Sequence, residues 1–300
     1  MLHSAELRKL EQNLSGEVVC VNKIPHGVDN AVYLIELSTG EGYILKHYPT
    51  RNIHNMHRAI ANAKGLRAKG INTPRVSCGP IDLLDGCGLV FEYVKGVHLD
   101  LDSANEVEKL AQVMVAIKSL NTDNLKLQGP KDYNFNDLLA KCSEMDEIGI
   151  VRGILEQSLR QIDDEDSGMT VVHGDLSQSN IIVDEEGEVH ILDLDHLRVD
   201  RPLDELSRAL IFFGFSGGKL NMEKCQLLTT AYSKCAACQL DVNRVLSRTL
   251  QLLIYMLLET YYYTYVVKAV DPIAISESVY NQTYPRLKDK LFSLSIDLGL

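Results

Sequence analysis

Midway along the chain a polar loop sits between two apolar runs, Val171-Val172-His173-Gly174-Asp175-Leu176-Ser177-Gln178-Ser179-Asn180-Ile181-Ile182-Val183. After a turn at Asp184-Glu185-Glu186-Gly187 a further apolar run follows, Val189-His190-Ile191-Leu192-Asp193-Leu194-Asp195. Short Val/Ile-rich runs bounded by Gly, Asp and Asn read as strands. The segment is therefore a strand, a loop and a hairpin, and the hairpin returns Asp193 to the end at which the loop fixes Asp175 and Asn180. Turn chemistry would explain one or two such polar residues. It does not explain an ordered His, Asp, Asn and Asp inside paired hydrophobic strands.

What surrounds this segment differs on its two sides. Residues 17–24, 31–37 and 42–48 are short runs rich in Val, Ile, Leu and Tyr, punctuated by Asn30 and by Ser38-Thr39-Gly40-Glu41. They predict β-structure. Ile53, Met56, Ile60, Ala63 and Leu66 then recur at helical spacing, with Gly70 as the stop. Strands are expected around residues 75–77 and 88–94. Beyond Gly96 the character turns helical: Ser103-Ala104-Asn105-Glu106 reads as a capping box, with Val107, Leu110, Met114 and Ile117 facing inward.

Composition narrows the function. The net charge of -11 argues against a nucleic-acid binder held by phosphate contacts. The amino terminus lacks the apolar core of a signal peptide, and the apolar run 252–258 is too short to span a bilayer, so a cytoplasmic protein without a membrane span is expected. Seven cysteines, an odd number, do not suggest a disulfide framework. Cys235 and Cys238 lie three apart in a helical stretch with no second pair to complete a zinc site, and read as packing residues.

An H-x-D-x-x-x-x-N loop, an apolar strand and a further aspartate are how kinases place their acidic groups. One carboxylate accepts the hydroxyl proton of the acceptor, while an amide and a second carboxylate hold magnesium, which prefers oxygen ligands. The segment resembles the aminoglycoside phosphotransferase and choline kinase-like family, whose loop reads HGD where protein kinases have HRD, and whose IDF-like strand matches Leu192-Asp193-Leu194. The likeness is motif-specific between His173 and Asp195 and follows the order of elements over most of the chain. It implies an α+β, bilobal protein-kinase-like fold. A small N-terminal antiparallel β-lobe (residues 1–94, hinge at 91–96) would bind nucleotide, and a larger, mostly helical lobe (95–300) would carry the catalytic loop and substrate site. ATP and Mg2+ are the implied cofactors, and the activity is γ-phosphoryl transfer to a small-molecule hydroxyl. Asp175 is the expected catalytic base and Asn180 and Asp193 the metal ligands.

The same likeness makes Lys46 in Tyr43-Ile44-Leu45-Lys46 the phosphate-binding lysine of the third strand. It puts Gly27 and Asn30 in a loop whose amides approach the phosphates. The Glu92 carbonyl and Val94 amide would pair with adenine. His173 and Asp204 read as supports of the loop, and Asp195 as a ligand of a second magnesium or a partner of Arg198. A tyrosine stripe, Tyr255, Tyr261, Tyr262, Tyr263 and Tyr265, reads as core before pocket. One departure stands out: kinases pair the strand lysine with a glutamate on the next helix, and none occurs between His47 and Phe91. Asn62 or His57 would substitute, or Lys46 is held by Asp193 or by the nucleotide. The stretch from Arg58 through Pro74 and the strand ending at Asp195 also resemble lipopolysaccharide core kinases, so a saccharide hydroxyl is the alternative acceptor. A nucleotide-binding regulator without turnover is the alternative of another class. The oligomeric state is left open.

Overall fold

The computed structural model describes residues 2–24, 30–160, 168–267 and 277–300, with side chains from 283 onward in the last of these. Five antiparallel strands form the N-terminal sheet in the order β1-β2-β3-β5-β4. They are β1 (Val18–Ile24), β2 (Ala31–Leu37), β3 (Gly42–Tyr48), β4 (Val76–Leu83) and β5 (Gly86–Glu92). Alternation along each strand gives the sheet two apolar faces. On one, Tyr33, Ile35, Leu37, Leu45 and Val90 cluster with Leu10 of helix α1 (Ser4–Leu14). On the other, Tyr48 and Leu89 pack with Met56 and Ala59 of helix α2 (Ile53–Ala68). Lys46, two residues from Tyr48, therefore shares the α2 face. Helix α2 ends as its pattern predicts, with Gly70 at φ 77° and the Ile71 N–H returning to the Leu66 carbonyl.

The 3-stranded sheet β6-β8-β9 joins β6 (Gly96–His98) to the hairpin β8 (Ile181–Asp184) and β9 (Val189–Ile191). By its contacts the chain divides into two units. The first is Met1–Leu99, Leu120–Leu127 and Ser179–Leu197, and so takes the hairpin together with the five-stranded sheet. The second, Asp100–Ser119, Gln128–Gln178 and Arg198–Leu300, is mostly helical. Its first helix, α3 (Ala104–Lys118), opens on the expected capping box: Ser103 Oγ accepts from the Glu106 N–H, and the Glu106 carboxylate accepts from the Ser103 N–H. Helices α4 (Phe135–Lys141), α5 (Ile148–Leu159), α6 (Pro202–Phe213) and α7 (Met222–Cys235) follow. At the centre lies α8 (Val242–Tyr261), buried along most of its length and packed against α5, α6 and α9 (Glu277–Asp297). Leu287, Leu291 and Leu294 give α9 its buried stripe. A short antiparallel pair, β7 (Thr170–Val172) with β10 (Arg198–Asp200), leads into and out of the loop segment. No helix among the described residues is long and apolar enough to cross a membrane.

Of the tyrosine stripe, Tyr255 is buried and meets Tyr133 and Phe135 edge-on at 5.0 and 5.8 Å. Tyr261 to Tyr265 continue α8 into a π-helical turn (Tyr262–Val267), where Tyr263 and Tyr265 are exposed. Cys235 closes α7 and Cys238 lies just beyond it, both partly buried.

Candidate active site

In the first unit Lys46 stands on the central strand β3 and is almost wholly buried. Its ammonium lies 2.7 Å from Asp193 Oδ1 and 2.8 Å from Asp195 Oδ2. Burial alone would lower the pKa of such a lysine; the two carboxylates outweigh it and hold the ammonium above its ordinary value. Asp195 is buried more deeply than Asp193, their side chains being 2% and 31% exposed. Burial raises the Asp195 carboxyl, against the pull of Lys46. The Tyr48 hydroxyl donates to Asp195 Oδ1 at 3.0 Å, and Asn30 Nδ2 lies 3.4 Å from Oδ2. Burial and then the Asp195 charge push the Tyr48 phenol well above its usual range, so it remains a donor.

The hairpin explains why Asn180 and Asp193 come together. Asn180 precedes β8 and Asp193 follows β9. The register Ile181↔Ile191 sets both at one end, and the Leu192 N–H donates to the Asn180 carbonyl at 2.9 Å. Asp193 adopts φ 53°, ψ 63°, a left-handed conformation that aspartate tolerates better than most residues. Such a backbone, held by surrounding structure, is common at functional sites. Two carboxylates thus share one ammonium, and the more exposed oxygens belong to Asp193. An amide oxygen and an aspartate at one hairpin end suit the oxygen-only preference of magnesium.

The missing glutamate is explained. Asn62 is fully buried, but its amide is spent on backbone: Nδ2 donates to the Leu194 and Lys126 carbonyls, and Oδ1 accepts from the Lys126 N–H. It ties α2 to the segment carrying Asp193 and Asp195. His57 is exposed. The contacts of Lys46 come from Asp193 and Asp195 instead.

In the second unit the loop after β7 is built on Gly174 at φ 84°, a conformation that favours glycine. The Asp175 N–H turns back to His173 Nδ1 at 3.3 Å, and Ser177 N–H donates to the Asp175 carbonyl at 3.0 Å. His173 is fully buried. The loop is anchored by Glu205, a residue the sequence did not single out. Its carboxylate accepts from the N–H groups of His173 (3.0 Å) and Gly174 (3.1 Å). Arg208 backs Glu205 at 3.5 Å and Asp200 at 3.1 Å, and hydrogen-bonds the Tyr133 hydroxyl. Asp204, the neighbour that resembles the family's supporting aspartate, sits in the first turn of α6 behind the N-cap Arg201. It forms a bidentate pair with Arg248 at 2.6 and 2.9 Å, whose guanidinium also stacks 5.0 Å over Tyr133. The signal for Glu205 was present in Pro202-Leu203-Asp204-Glu205: two acids in a helix's first turn. Which of them faces the loop is a matter of helix phase.

Gly27 lies outside the described residues. Asn30 presents its side chain to Asp195. At the expected hinge, Glu92 is the last residue of β5, with its N–H bonded to the Arg75 carbonyl, and the Val94 N–H has no backbone partner among the described residues.

The chain matches the description "phosphotransferase enzyme family" over residues 21–238. No curated protein sequence matches it at a significant level. Solved structures with a similar fold include choline kinase LicA from Streptococcus pneumoniae (18% identity, TM-score 0.66, 97% of this chain and 99% of that one). Spectinomycin phosphotransferase APH(9)-Ia, solved with ADP and spectinomycin, aligns with TM-score 0.70 at 11% identity over 100% and 99% of the two chains. Macrolide 2'-phosphotransferase MphH from Brachybacterium faecium aligns with TM-score 0.66 at 14% identity over 95% and 98%. With a family match across well over half of its length, the chain belongs to the phosphotransferase enzyme family.

Proposed function

We propose that this chain transfers the γ-phosphoryl group of ATP to the hydroxyl of a small molecule, with Mg2+ as cofactor, in the cytoplasm. The observation that carries the reading is the buried Lys46 against Asp193 and Asp195, beside Asn180 at the same hairpin end. Residues 1–94 form the nucleotide-binding lobe, with residues 91–96 as the hinge, and residues 95–300 the lobe of the loop and the acceptor. The Glu92 carbonyl and the Val94 N–H pair with adenine, and the loop of Gly27 and Asn30 covers the phosphates. Lys46 steadies them, which offsets charge that develops during transfer. Asn180 and Asp193 hold the magnesium, whose chemistry is to neutralise phosphate charge. Asp175 orients the acceptor hydroxyl and takes its proton, and Glu205 keeps the Asp175 loop in place through two backbone N–H groups.

The complete set of Lys46, Asp175, Asn180 and Asp193 argues against a regulator without turnover, and nothing in the site favours a saccharide over other alcohols. The structural neighbours named for choline, spectinomycin and macrolides direct the first acceptor panel to amino alcohols and hydroxylated antibiotics. ADP release measured across that panel tests the reading, with Asp175→Asn as control. Acceptor-stimulated ADP release that persists in the control would remove Asp175 as the base. Nucleotide binding with no stimulation by any alcohol would favour the regulator.

A further inference from the structure

The two aspartates that flank Lys46 are not equivalent, and we infer that Asp195 is a positioning residue, the permanent counter-ion of Lys46 in place of the helix glutamate that other kinases use. The inference rests on Lys46 being the phosphate lysine of the reading above. Three observations support the assignment. Asp195 is sealed, its side chain 2% exposed, whereas that of Asp193 is 31% exposed. Asp195 has neutral donors of its own, the Tyr48 hydroxyl at 3.0 Å and Asn30 Nδ2 at 3.4 Å, which hold its carboxylate in place beside the ammonium. And α2 offers no carboxylate, while its buried Asn62 braces the Leu194 carbonyl, between the two aspartates.

A buried carboxylate with three donors has little reason to leave them, whereas the more open Asp193 can exchange Lys46 for a metal ion. One residue thus orients the lysine while the other remains available for magnesium. Both halves of the clamp, β3 with Lys46 and Tyr48, and the segment after β9 with Asp195, lie in one unit. Neither half belongs to α2. Pairing therefore does not wait on a helix movement, and the lysine is set before nucleotide arrives.

The test labels Lys46 with a small amine-reactive reagent in nucleotide-free and metal-free protein, quantified by peptide mass spectrometry. The same preparations give the KM for ATP and the magnesium concentration for half-maximal turnover. Asp195→Asn is expected to raise Lys46 labelling several-fold and the KM for ATP about 10- to 100-fold, the range for losing a charge-assisted bond, with the magnesium requirement little changed. Asp193→Asn is expected to do the reverse, raising the magnesium requirement and changing the labelling less. If Asp195→Asn shifts the magnesium requirement and leaves labelling unchanged, Asp195 is a second metal ligand and the inference fails. Should Asp195→Asn not fold, Tyr48→Phe removes one donor to Asp195; labelling should then rise about two- to tenfold, and an unchanged rate overturns the assignment. Labelling needs no turnover. Absence of phosphoryl transfer to any acceptor would therefore sink the proposed activity while leaving the Lys46–Asp195 pairing to stand or fall on its own readout.

Discussion

The two buried charge clusters of this chain are built on opposite principles. Around Lys46, one cation meets two carboxylates, Asp193 and Asp195, and one of these remains open. Behind the Asp175 loop, Arg198, Arg208 and Arg248 are matched by Asp200, Asp204 and Glu205, all buried. A balanced, multiply bonded cluster has its charges neutralised at home, so it serves to hold backbone in place. The unbalanced one shares a single ammonium between two carboxylates, and the more exposed of them, Asp193, suits a divalent cation. The difference teaches that ion-pair density alone does not separate a supporting cluster from one that can take a metal ion; the exposure of its carboxylates does.

The largest expected effect concerns neither cluster but the loop the balanced one supports. Asp175→Asn should lower kcat by about 10²–10⁴-fold, the usual contribution of acid–base catalysis, with ATP affinity retained. Steady-state ADP release and nucleotide titration check it, and near-normal turnover would reduce the loop to scaffold. Asp204→Ala tests the balanced cluster itself. It strands Arg248 in a buried site beside Tyr133 and should cost about 3–5 kcal/mol of unfolding free energy in urea titration. A loss below about 1 kcal/mol, the scale of exposed pairs, would show that the cluster is not the support described.

Asp193→Asn makes the matching change in the unbalanced cluster, and its effect on stability should be far smaller. It leaves Lys46 with Asp195, one charge against one, so the unfolding free energy in the absence of nucleotide should change by about 1 kcal/mol or less. Half-maximal activity should nevertheless need more magnesium. Destabilisation as large as that of Asp204→Ala would erase the distinction between the clusters.

The smallest effect comes from a carboxylate held by two backbone N–H groups. Glu6 accepts from the N–H groups of His3 (2.6 Å) and Leu84 (2.9 Å). Burial works to raise its carboxyl, but the bonds prevail and hold it below the ordinary 4.5. Because the folded value is the lower one, this stabilisation is present above about pH 4.5 and is lost as pH falls through the folded value. Melting temperature followed from neutral to acid pH should show an acid limb that is shallower in Glu6→Gln. Identical limbs would mean that the two backbone bonds do not discriminate charge.

Much of the fold is visible in local pattern. The alternating strands β1 to β3, the 3.6-residue recurrence of α2 with its glycine stop, and the Ser103–Glu106 capping box all form where the residues predict them. Each depends on contacts within a few positions or on one buried face. Helix α1 was not expected, although Leu7, Leu10 and Leu14 carry helical spacing; it is held because Leu10 enters the sheet core. Burying that leucine is worth about 1.5–3 kcal/mol, enough to secure a helix too short to stand alone.

By itself the sequence determined strands β1 to β3, helices α2 and α3, the loop from His173 to Asn180 and the return of Asp193 to the end of the hairpin at Asn180, because hairpin geometry carries those two residues to one end. Only the tertiary structure decided which acid does what. Lys46 meets Asp193 and Asp195 across 147 and 149 residues, and Glu205 reaches the His173 N–H across 32. The role of a carboxylate follows from its burial and from the donors that surround it, and those are supplied by segments remote in the chain, so Asp195 and Glu205 could not be told from Asp193 and Asp204 until the chain had folded.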